Sequence, residues 1–77
     1  MNIKHMMWEC GIRQKDLARE MGIANSELCH RLYDEIDGKL PREKELEILD
    51  TLTDMLKNRQ RRIDIALTAI EMEIKYE

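Results

Sequence analysis

Two thiols, two imidazoles and one hydroxyl are the side chains of this chain best suited to nucleophilic or metal chemistry: Cys10, Cys29, His5, His30 and Ser26. Their spacing argues against both uses. Cys29 and His30 are adjacent, and neighbours on a helix point about 100° apart, so they do not form a nucleophile–base pair. The two Cys and two His residues lack metal-ligand spacing, and a buried thiol is the commoner state of such cysteines. Ser26 is the only serine, which leaves no second serine for a serine triad elsewhere. No glycine-rich phosphate loop is present. The expectation is a protein without catalytic residues, metal or cofactor, and not an enzyme. What remains is hydrogen-bonding chemistry, concentrated where Asn25, Ser26, Glu27 and His30 fall on the exposed face of one short helical stretch.

The elements that position these groups follow from punctuation. Gly11, Gly22 and Gly38 are the only glycines and Pro41 the only proline. Glu, Lys, Arg, Leu, Met and Ile dominate the remainder, and most of these are good helix formers. An all-α domain follows, with four to five helices and breaks near residues 11, 22 and 38–41. Ile3, Met6, Met7 and Cys10 recur at helical spacing and give a first helix that stops at Gly11. Residues 13–21 form a second, with Leu17, Ala18 and Met21 facing inward. Gly22 takes positive φ at no steric cost and ends it in a tight turn. Asn25 or Ser26 caps a third helix whose Leu28, Leu32 and Ile36 form an apolar stripe. Pro41 suits the start of a fourth helix, and Trp8 reads as a core or helix-packing residue. Glu43, Glu45 and Glu47 lie near the beginning of that fourth helix and Lys57, Arg59, Arg61 and Arg62 near its expected end, as the helix dipole favours.

Length and charge bound the rest. Seventy-seven residues make one domain, which buries only about 60% of the surface exposed by its unfolded chain. Two cysteines far apart fit no disulfide framework and point to reduced thiols in a cytoplasmic setting. The N-terminal stretch has no apolar run of about 7–15 residues, so it does not read as a signal peptide. No apolar stretch of about 18 residues exists to span a membrane. The formal net charge of −3 gives no overall attraction to nucleic acid.

Two short helices meeting at a glycine turn, with the small Ala18 where the second crosses the first, describe a helix-turn-helix. At Gln14, Leu17-Ala18, Gly22-Ile23 and Leu28 the sequence resembles the phage-repressor and Cro-like family of DNA-binding proteins. Residues 3–56 carry the resemblance. It departs at Ala24, where the family usually has a capping Ser or Thr, and at Arg31, where an apolar residue is usual. The stretch from Leu28 to Gly38 is also about one helical turn longer than the family's. The resemblance implies that the third helix reads the major groove of double-stranded DNA, with Gln14 near the backbone and Asn25, Ser26 and His30 facing bases. Arg13, Lys15 and Arg31 would then meet phosphates. Against this, residues 1–40 hold six Lys/Arg and seven Asp/Glu, and Glu27 sits on the reading face.

Few phosphate contacts make dimerisation necessary for useful affinity. Leu49, Leu56, Ile63 and Ile70 are spaced seven apart, and Leu52, Leu67 and Ile74 broaden the stripe. Leu46, Leu49, Leu52 and Leu56 read as cover for the core. Beyond them little core is left to cover, so Leu56, Ile63, Leu67, Ile70 and Ile74 are the expected dimer interface. The chain thus divides at 1–57 and 58–77, with the polar NRQRR of 58–62 marking a bend or a new helix. Residues 69–76 alternate as a strand would, but their composition and the absence of turn residues favour helix. Two functions are consistent with these features: a homodimeric DNA-binding regulator, ranked first, and a protein-interaction module or phage-type inhibitor on the same scaffold.

Overall fold

The computed structural model describes residues 2–75, which form four helices and no strand: α1 Ile3–Glu9, α2 Gln14–Met21, α3 Asn25–Ile36 and α4 Arg42–Lys75. The number is four rather than four to five because NRQRR does not interrupt the last helix. That stretch contains neither proline nor glycine, so nothing in it removes a backbone hydrogen bond. Helix continues through Ile63 to Lys75, which excludes a strand there. Tyr76, the last residue of the alternating pattern, lies outside the described residues.

Each of the three short helices closes in the same way. In α2 the Gly22 N–H donates to the Arg19 carbonyl and the Ile23 N–H to the Ala18 carbonyl, both at 3.1 Å. This paired pattern is the Schellman closure, which needs a left-handed residue at its centre. Gly22 supplies it with φ 71°. Gly11 and Gly38 repeat the arrangement, with Ile12 N–H donating to Met7 and Lys39 N–H to Asp34. The helix starts are less uniform. Asn2 caps α1 by accepting from the His5 N–H at 3.0 Å. α3 is preceded by Ala24, which offers no side-chain cap, so neither Asn25 nor Ser26 takes the capping role that their types suggest.

The core is aliphatic. Ile3, Met7, Ile12, Leu17, Ala18, Leu28, Leu32, Ile48 and Leu52 are buried, drawn from all four helices and the α1–α2 turn. Burying each large member contributes about 1.5–3 kcal/mol. Met21, Ile23, Leu49, Met55 and Leu56 are packed around this cluster. Two expectations fail. Trp8 is 78% exposed, because it follows Met7 by one position and therefore points away from the face that Ile3 and Met7 bury. It stacks instead on His5, with ring centroids 6.1 Å apart. Ile36, at the end of the α3 stripe, is also exposed.

α4 is longer than the bundle it covers. Its 34 residues span about 51 Å at 1.5 Å per residue, and the molecule measures 56 × 23 × 18 Å. Among the described residues the last side chain of α4 that hydrogen-bonds to the bundle is Arg59. Its Nη1 donates to the Cys10 carbonyl at 2.6 Å and its Nη2 to the Gly11 carbonyl at 3.2 Å. Lys57, Arg59, Arg61 and Arg62 therefore lie in mid-helix rather than at its end, and Arg59 serves the C-terminus of α1 instead of its own. All described residues after Arg59 are exposed.

A Cβ at Gly22 would meet nothing within 4 Å, so the cost of a side chain there is backbone strain alone. Gly22→Ala should lower unfolding free energy by about 1–2 kcal/mol in urea titrations, with native helicity unchanged. A variant as stable as the parent would contradict the left-handed closure.

Candidate nucleic-acid interface

The turn between α2 and α3 is fixed from both sides. Beneath it, Leu17, Ala18 and Leu28 are buried. Above it, the Gln14 side-chain amide donates to Asn25 Oδ1 at 3.0 Å and to the Asn25 carbonyl at 3.3 Å. The first residue of α2 thus holds the first residue of α3. One lone pair of Asn25 Oδ1 is taken by Gln14, and the exposed side chain keeps its amide N–H groups and a second lone pair for other partners. Asn25, Ser26, Glu27 and His30 are all exposed, so the face expected for α3 is open. It continues into a shallow groove lined by Ser26, His30, Asp34 and Lys44.

The cations around this face are mostly engaged. Arg31 is half-buried, its side chain 12% exposed, and it lies between two carboxylates: Nη2 is 3.0 Å from Glu27 Oε1 and Nη1 is 3.1 Å from Glu47 Oε2. It joins α3 to α4 through charge. Arg13 donates from Nε to Asp16 Oδ2 at 2.9 Å. That hydrogen bond holds the Asp16 carboxyl below its ordinary value of 3.8. A lowered carboxyl is stabilising above its unfolded value and loses that contribution only as pH falls through the folded one. The Arg13 pairing is therefore intact at neutral pH. Lys15 is exposed and makes no ion pair among the described residues.

The residues expected to form an interface between copies divide at Arg59. Leu56 is half-buried against the chain's own core, whereas Ile63, Leu67, Ile70 and Ile74 are 49–67% exposed. Among the described residues no group of three or more His, Cys, Asp or Glu is placed to hold a metal ion. No helix among them is long and apolar enough to cross a membrane.

Three contacts had no sequence signal. The Arg59 bonds to Cys10 and Gly11 join positions 49 and 48 residues apart and end on backbone oxygens, which carry no side-chain signature. The Arg31–Glu47 pair spans 16 residues. Lys4 lies over the Tyr33 ring, with Nζ 5.0 Å from its centroid. A charge pattern restricted to neighbours three or four apart finds Glu27–Arg31 but none of these.

Arg31→Met keeps the volume and removes the charge between Glu27 and Glu47. It should destabilise the protein by about 1 kcal/mol at low salt, and the difference should shrink as sodium chloride is raised, followed by thermal unfolding at each ionic strength. A difference that does not change with salt would show that Arg31 acts by packing alone. In comparisons with protein-family models, characterised proteins and solved structures, nothing matches this chain, so its site is read from geometry.

Proposed function

We propose that this protein is a small DNA-binding transcriptional regulator of the repressor kind. In this reading α2 and α3 form a helix-turn-helix, and the chain acts as a homodimer on a palindromic operator. The observation that supports it is the Gln14–Asn25 clamp. A side chain at the start of α2 orients a polar side chain at the start of α3 while Ser26 and His30 stay open beside it. Asn can pair with adenine through one donor and one acceptor, and Ser and His can bond base edges. Arg13, Lys15 and Arg31 are the candidate phosphate contacts, with Gln14 near the backbone. Because Arg13 and Arg31 already pair with carboxylates, one half-site binds weakly and two are required.

A second reading is a protein-interaction module on the same scaffold, and the Glu27–Arg31–Glu47 network favours it. Its basic centre is neutralised from both sides, a poor arrangement for a phosphate and a suitable one for a partner with both charge signs.

Selection of bound duplexes from a random library at moderate salt separates the two. The regulator reading expects enrichment of an inverted repeat with half-sites a whole number of helical turns apart, about 10 base pairs per turn. Asn25→Ala with His30→Ala should abolish that preference without loss of helicity. A folded protein that enriches no sequence would overturn the regulator in favour of the interaction module.

A further inference from the structure

Of the three cations expected to meet phosphate, Arg31 alone lies between two carboxylates. Arg13 has a side chain 68% exposed and, among the described residues, pairs only through Nε with Asp16. Lys15 is exposed and open. The Arg31 side chain is 12% exposed, with Nη2 on Glu27 and Nη1 on Glu47. A phosphate can therefore reach its guanidinium only by displacing a carboxylate. The position is the right one for such a contact, because Arg31 lines the same groove as Ser26 and His30, with Asp34 and Lys44 as the other charges beside Glu27.

The two carboxylates differ in origin. Glu27 stands one turn before Arg31 on α3 and moves with it, whereas Glu47 reaches it from α4. Both side chains are 52% exposed, so water receives either one when it lets go. We propose that Glu47 is an intramolecular brake on DNA binding, competing with a backbone phosphate for Arg31. This rests on the regulator reading and gives its α3 face a controlling residue outside α3. Exchange of Glu47 for phosphate replaces one anion by another on Nη1 and leaves Arg31 paired throughout, with the charge-assisted bonding that a guanidinium offers to either. The folded chain thus keeps one phosphate contact in reserve.

Fluorescence anisotropy with a labelled mixed-sequence duplex, followed between about 50 and 200 mM sodium chloride, tests this. Glu47→Gln keeps the shape of an exposed side chain, and native helicity is the control for folding. It should bind more tightly than the parent. Its plot of log affinity against log salt should be steeper by about 0.9, the value for one added phosphate contact. Its advantage should accordingly shrink about threefold across that salt range. In an Arg31→Met background the same change should leave the slope as it was. Asp34→Asn removes a charge from the same groove but from no ion pair with Arg31, and should also leave the slope unaltered. A parent that binds duplexes with the same slope as Glu47→Gln would overturn the brake and leave the regulator standing. Equal steepening in Asp34→Asn, or without Arg31, would also overturn it, since net charge would then account for the gain. Binding by Glu47→Gln but not by the parent would support the brake and count against the regulator. No binding by either folded protein at the lowest salt would overturn both.

Discussion

Ile48 and Leu52 close the core against Ile3, Leu17, Leu28 and Leu32, and the three short helices depend on that closure. Helices of 7, 8 and 12 residues are marginal in water as isolated peptides. They persist because each buries one or two aliphatic side chains in a cluster completed by α4. Glycine closure then keeps each helix short enough for the chain to fold back on itself. The polar face of α3 inherits its rigidity from this arrangement, since Leu28 and Leu32 anchor the side of the helix opposite to it.

The same arrangement explains what can be read from the amino-acid order. The breaks at Gly11, Gly22 and Gly38, the inward positions of Leu17, Ala18 and Leu28, and the long apolar repeat after Pro41 are local signals. Helical periodicity and left-handed closure depend on neighbours a few residues away, so they are legible directly. Ile36 is open because an apolar type near the end of a short helix does not say whether a partner reaches that far, and Trp8 because it lies off the face that Ile3 and Met7 bury. The continuity of α4 was obscured by a polar run, although polarity changes which face is wet and not whether a helix continues.

The candidate site was legible in its residues and much less so in their partners. Asn25, Ser26 and His30 are open as their positions suggest. Arg31 and Arg13 are held by carboxylates, one of them brought by α4 from 16 residues away. Charge on this surface is thus arranged in local ion pairs, Arg13 with one carboxylate and Arg31 with two, and a net charge of −3 conceals the extent of that internal pairing. Arg59 shows the limit most clearly, because its acceptors are backbone oxygens that only the closed fold brings within reach.

The overhang of α4 also governs how the molecule moves through solution. Its radius of gyration is 16.2 Å, a value that a compact globule reaches only at about 190 residues. Friction follows extension rather than mass, so one copy of this chain diffuses and elutes as a considerably heavier globular protein would. Hydrodynamic size therefore reports the helix before it reports stoichiometry.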